Sequence, residues 1–277
     1  MLRFPLIFCV AAFASARAQK PAAAQSAPPI QDNSFLVEEA YNQEGGVVQH
    51  ISTFARSAIT GTWAYSFTQE WPVSSVKHQV SYTVPVMRVD ETPGSRAGVG
   101  DILVNYRFQI LGNGGARVAL APRLTAVFPT GSSRRGLGAG GPGLQVNLPL
   151  SIVLPRSLVA HSNAGATYTA RAQDIIGGAA ATTGYNVAQS IVWLVHPKFN
   201  VMLEGTWNRR EDVVGAGQTA SNTEVLLSPG VRAAFDLPSG LQIVPGLAIP
   251  IGLGPSRGDR YLLVYLSFEH PFAGSER

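Results

Sequence analysis

Residues 98–111 read GVGDILVNYRFQIL. Ile102, Val104, Tyr106, Phe108 and Ile110 share one parity, and Asp101, Asn105, Arg107 and Gln109 share the other. A period of two sends alternate side chains to opposite faces of a β-strand. One face here is apolar enough for lipid and the other polar enough for water. Repeated along the chain between turn-like breaks, this is the pattern of a transmembrane β-barrel, weak in any one segment and persuasive in series.

Working outward from that stretch, twelve strands are expected. They lie near residues 46–56, 62–71, 77–88, 99–110, 117–128, 143–152, 158–170, 183–195, 198–210, 222–235, 241–251 and 261–270. Most are long enough for a tilted crossing of about 9–11 residues. The connections 72–76, 111–116, 154–157, 196–197 and 237–240 are short, and most hold Pro or Gly. Those at 89–98, 129–141, 171–182, 210–221 and 252–260 are longer. Short periplasmic turns and longer extracellular loops fit an outer-membrane barrel with both termini periplasmic. The connection at 57–61 is short and breaks the rhythm, so a count of ten or fourteen strands also fits. The expected fold is all-β: an antiparallel transmembrane barrel of about twelve strands.

Other strands divide the same way. Arg117, Arg123 and Thr125 oppose Val118, Leu120, Leu124 and Phe128; Lys198, Asn200, Glu204 and Thr206 oppose Phe199, Val201, Leu203 and Trp207. A basic side chain at the lipid midplane costs roughly 2–4 kcal/mol, so parity is strongly constrained. Trp63, Tyr65, Trp71, Tyr82, Trp193 and Trp207 suit the aromatic girdles at the two interfaces. A soluble sandwich would bury these faces and would not need the loop rhythm.

The N-terminus reads as a secretory signal. Arg3 precedes the apolar run 4–14, and Ala16-Arg17-Ala18 fits a small-x-small cleavage site. Eleven apolar residues are too few for a spanning helix. Cleavage after residue 18 leaves a chain from Gln19 without Cys9, the only cysteine, which excludes disulfides and thiolate chemistry. Losing Arg3 and Arg17 lowers the net charge from +4 to about +2, too little to support nucleic-acid binding. The expected organisation is a signal peptide at 1–18, a periplasmic leader at 19–45 and a barrel at 46–277. Residues 20–30 read as a flexible lead-in. Within 31–44, Asn33 or Ser34 can cap a short helix through Tyr41. Two readings of this segment stand open: an ordinary leader, and a plug at the periplasmic mouth or partly inside the barrel.

Several segments resemble one bacterial family. They are IQDNSFLVEEAYNQEGGVVQHI (30–51), the quoted 98–111, ALAPRLTAVFPTG (119–131), GLQVNLPLS (143–151), HSNAGATYT (161–169) and LSPGVRAAFDLPSGLQIVPGLAIPIG (227–252). The resemblance is to the MetA-pathway phenol degradation family of transporter-like outer-membrane proteins. It implies an outer-membrane barrel that takes up small molecules, aromatic compounds among them, and it carries over no functional residues.

Enzyme motifs are weak. His161 and Ser162 are adjacent, so on a strand they face opposite ways, whereas a catalytic pair would need a spacing of two. No HExxH, His-x-His or GxSxG motif occurs, and the glycine-rich run 136–143 lacks the Lys-Ser/Thr of a phosphate loop. No cofactor or metal is implied.

The polar parity holds the candidate site. Lys77, Asp101, Arg107, Arg117, Arg123, His161, Lys198, Glu204, Glu224 and Arg232 are the candidate pore-lining residues, with Glu70 and Glu269 nearby in character. Rings of such charges set selectivity in a wide pore and pair off in a narrow one. Arg107 and Arg123, on adjacent strands, are expected at a constriction. The leading reading is a monomeric channel for passive passage of small solutes. Its partners would be outer-membrane lipids, the solute and, during biogenesis, periplasmic chaperones and the barrel-assembly machinery. The alternatives are a closed structural or surface-interaction barrel and, with less support, an outer-membrane hydrolase.

Overall fold

A computed structural model describes residues 34–90, 94–113 and 115–271. The expected signal segment with Cys9, the lead-in, Asn33 and the stretch from Phe272 onward lie outside the described residues. Twelve antiparallel strands close into a barrel. Strand β1 is Val47–Ser57, β2 is Trp63–Val73 and β3 is Ser75–Asp90. Strand β4 runs through Ser95–Val99 and Ile102–Phe108, β5 through Val118–Leu120 and Arg123–Phe128, and β6 through Gly143–Asn147 and Leu150–Leu154. Strand β7 is Leu158–Gln173, β8 is Ala179–His196 and β9 is Phe199–Gly215. Strand β10 runs through Gln218–Ala233 and Phe235–Asp236, β11 through Gln242–Ala248 and Ile251–Gly252, and β12 is Tyr261–Pro271.

Each strand pairs with its neighbours in chain order. Strand β12 returns to β1 from Val47↔Pro271 to Ser57↔Tyr261, which closes the sheet. Closure leaves no open edge, so ladder groups pair between strands rather than with water. Of the five strands that run in two pieces, β5, β6 and β11 break at Ala121-Pro122, Leu148-Pro149 and Ile249-Pro250. Proline has no N–H to give the ladder, so the break falls there.

The molecule is polar inside and apolar outside. In β4, Val104 and Tyr106 are 40% and 43% exposed, while Asn105 and Arg107 are each 3% exposed. Leu124, Leu144, Val146, Ile191, Leu203, Leu247 and Leu262 continue the exposed apolar surface around the barrel. Gln49, Gln79, Thr125, Asn147, Ser190, Asn200, Glu204, Ser228 and Ser267 are buried and face inward. Trp193 and Trp207 are on the exposed face, as the girdle reading requires. Such an arrangement makes sense when lipid surrounds the barrel.

Two local expectations are revised, and the short first hairpin, which broke the loop rhythm, is borne out. The connections at 171–182 and 210–221 are largely strand. The ladder of β9 and β10 runs through Glu211↔Ser221 and Val213↔Thr219 to Gly215↔Gln218, and turns at Ala216-Gly217 with Gly217 at φ 69°. The first hairpin is real and tight: the Ser57 hydroxyl accepts the N–H groups of Ile59 and Thr60, and Ser57 N–H donates to Thr62 O at 2.8 Å. Residues 34–43 form no helix. The reason lies inside the barrel.

Candidate functional site

The segment 34–43 lies against the inward-facing wall, in the half of the lumen nearer the short turns. Its backbone donors are taken by side chains of successive strands. Leu36 and Val37 N–H donate to one Glu204 oxygen, at 2.8 and 3.1 Å. Asn163 acts like a neighbouring strand: its Oδ1 accepts Glu38 N–H at 2.8 Å and its Nδ2 donates to Glu38 O at 2.7 Å. Ala40 N–H donates to the Ser151 hydroxyl, Asn42 N–H to Gln109 and Gln43 N–H to Gln79. A helix would have spent these donors on carbonyls four residues back. The barrel wall offers better-placed acceptors, and the local capping signal loses.

Apolar contacts hold the two ends. Phe35 packs with Tyr265 at a ring separation of 5.1 Å and joins Ile51, Val192, Met202, Val244 and Leu263 in a cluster inside the barrel. Gly230 and Gly246 make room for its ring, which a Cβ at either position would strike. Tyr41 and Ala40 pack on Ala119 and Ala121.

The charged centre lies between them. Arg107 and Arg123 are direct cross-strand partners in the β4–β5 ladder. Like charges so placed repel. Glu38 bridges them, 3.2 Å from Arg107 Nη1 and 3.1 Å from Arg123 Nε, and accepts from Asn147 Nδ2 at 2.9 Å. Arg107 also donates to the Asn42 side chain and to the carbonyls of Glu39 and Tyr41, and lies 4.0 Å from Glu70. One leader carboxylate therefore neutralises a repulsion that the strand register creates.

The other candidates separate by height in the barrel. Glu204, His161 and Arg232 face inward and are buried, with Arg232 near enough to Glu204 and His161 to act on both electrostatically. Glu224 lies toward the loops and accepts from Asn208 at 3.4 Å. Lys77 and Arg117 are exposed beside the short turns, and Lys198 pairs there with Asp236 at 3.2 Å. They belong to the rim. Asp101 is committed to a loop: its oxygens accept Gly131 N–H at 2.9 Å and Ala139 N–H at 2.6 Å.

Glu38, Phe35 and Ser151 were not singled out by sequence reading. Ser151 lay on the polar parity of its strand, but only the β6–β7 register sets it opposite His161, 2.7 Å from the hydroxyl to Nδ1. Glu38 sits in a stretch with no alternation to orient it. Ser162 does face away from His161, and donates to Gln189 at 2.6 Å.

On the loop side of the leader is a chamber of about 510 Å³. Leu36 and Glu38 form its floor, and its wall is rich in hydroxyls and amides, including Gln145, Asn147, Asn163, Thr167 and Thr182, with Arg123 and Arg210. Among the described residues no cluster of His, Cys, Asp and Glu could hold a metal ion.

Residues 27–251 match the family described as "Putative MetA-pathway of phenol degradation". The chain belongs to this family. No curated protein sequence matches it. Among solved structures, this MetA-pathway family chain is similar to an outer-membrane channel from Pseudomonas putida F1, with a TM-score of 0.60 and 12% identity over 83% of this chain and 97% of that one. It is also similar to the NanC porin, with a TM-score of 0.54 and 10% identity over 79% of this chain and 98% of that one. At these identities the likeness is one of fold, that of outer-membrane barrels.

Proposed function

We propose that this protein is an outer-membrane channel for passive passage of small solutes, with residues 34–43 as its constriction. The observation that carries the reading is the polar chamber above a segment held mainly by side-chain hydrogen bonds and one bridged charge pair. Water and polar solutes match such a wall, whereas a purely structural barrel gains nothing from an unfilled chamber of about 510 Å³. The family description supports including aromatic acids among the solutes tested.

The test is flux. The chain from Gln19 onward is refolded into liposomes, and uptake of small aromatic acids, sugars and amino acids is compared with empty vesicles. Flux above the control is expected, rising when residues 31–44 are deleted. A folded barrel without flux in either form would overturn the reading. The wall-to-wall seating of the leader favours one second reading, a closed barrel, and flux only after deletion would support it.

Ser151 and His161 lend hydrolysis little support. Both are buried, and the serine hydroxyl already takes Ala40 N–H, so an ester has no approach. His161→Ala is expected to loosen the leader without removing any esterase activity. Loss of a measured esterase rate in that variant would revive the hydrolase reading.

A further inference from the structure

Arg123 differs from its partner Arg107. The Arg107 side chain is 3% exposed and its guanidinium is consumed by the leader. The Arg123 side chain is 23% exposed and borders the chamber. Its Nη atoms make long hydrogen bonds to Asn105 and Gln145, at 3.3 and 3.2 Å. Its Nε is buried and lies 3.1 Å from Glu38, yet has no partner with hydrogen-bond geometry among the described residues. The charge is paired, but the directional donor is unused.

Directly opposite Arg123 in the β5–β6 ladder stands Asn147. Its side chain is buried, and its Nδ2 serves Glu38. Its Oδ1 is also buried and accepts nothing among the described residues. An unused donor on a cation and an unused acceptor on an amide thus stand side by side on one wall. Leaving such groups without a directional partner is unfavourable. Two complementary groups on one molecule would satisfy both: a carboxylate for the Arg123 Nε edge and a hydroxyl to donate to Asn147 Oδ1. The chamber is within the size range of small-molecule sites, roughly 300–1,000 Å³. Thr167 and Thr169 supply further hydroxyls on the same wall.

We propose that the chamber binds a small hydroxylated carboxylate, whose carboxylate takes the place of Glu38 on Arg123. The proposal rests on the channel reading and deepens it. The solute competes with the leader for the same guanidinium, so occupancy of the chamber loosens the constriction beneath it. The groups that face Arg123 are Asn105 and Arg107 on β4, Gln145 and Asn147 on β6, and Glu38 on the leader. Glu38 is the only carboxylate among them, so it is the competitor.

The test is calorimetric titration of the refolded chain in micelles with D-glucuronate and, as its neutral counterpart, D-glucose. Glucuronate is expected to bind at least about tenfold more tightly, the ratio one charge-assisted hydrogen bond supplies. Glu38→Gln should tighten glucuronate severalfold by removing the competitor. Asn147→Asp should abolish the preference by placing a carboxylate at the site. Arg123→Gln should abolish it too; Arg123→Lys, which keeps the charge but lacks the Nε edge, covers the case in which the glutamine variant fails the heat-modifiable gel-shift test of folding. Equal affinity for the two sugars, or a preference that survives at Arg123 and Asn147, would overturn the proposal. Bilayer conductance separates the two claims. Conductance without a glucuronate preference sinks the binding site and leaves the channel. A preference without conductance, in the full chain and in the leader deletion alike, sinks the channel and with it the gating step.

Discussion

Arg107, Arg123 and Glu38 carry most of the site's electrostatics. Two guanidinium groups opposed across one rung are an unfavourable choice unless something anionic comes between them, and Glu38 does. Glu38→Gln should weaken leader docking by about 3 kcal/mol, the low end for breaking a buried pair. The leader should then become accessible to protease, and single-channel conductance should rise. An unchanged digestion pattern would assign the docking to the apolar ends instead. Those ends have their own test. Gly246 faces the Phe35 ring with no space for a methyl group. Gly246→Ala should expel Phe35 and expose the leader while the barrel still folds, as read by gel shift.

At the scale of the strand, parity decides. Gln145 and Val146 are adjacent in β6, one inward and one outward. Val146→Arg puts a cation against lipid and should destabilise the barrel by about 2–4 kcal/mol, falling toward zero near an interface. Gln145→Arg puts the same charge in the wet chamber and should cost much less. Denaturant unfolding in lipid vesicles checks the difference, and equal losses would refute the assignment of faces. The strand pattern was legible because alternation is local: Val104, Tyr106 and Phe108 needed no partner to declare their face. Strand ends were less legible. The stretches 171–182 and 210–221 have turn-like composition, yet cross-strand pairing extends β7–β10 through them. Small and polar residues remain in a ladder when the neighbouring strand supplies its hydrogen bonds.

For the whole molecule, the barrel wall and the leader act together. The wall supplies acceptors for the leader's N–H groups and donors, from Asn163, Gln109 and Arg107, for its carbonyls. Their match sets how wide the lumen is. If ions pass this constriction, their selectivity depends on the arginine pair. Arg107→Glu with Arg123→Glu should move the reversal potential in a salt gradient toward cation preference. An unchanged potential would place the ion path elsewhere in the lumen. Glu38 would then face two carboxylates, so the double variant should also release the leader and raise conductance.

The sequence alone determined the class of fold and which strand side chains face inward, while the count of twelve strands, left open against ten or fourteen, was decided by closure of the barrel. The first two follow from a two-residue period and from the cost of exposing charge to lipid, both readable one segment at a time. It also marked Arg107 and Arg123 as neighbours, because adjacent strands in a meander pair. Only the tertiary structure decided that the two arginines share a rung, that Ser151 meets His161, and that Lys77, Arg117 and Lys198 stand at the rim. Register and height are set by all the strands together. The leader's path was hidden for the same reason. Its own residues signalled a capped helix, but Glu204, Asn163, Ser151 and Gln79 come from four strands and Gln109 from just past the end of β4, and closure of the barrel brings them to one backbone.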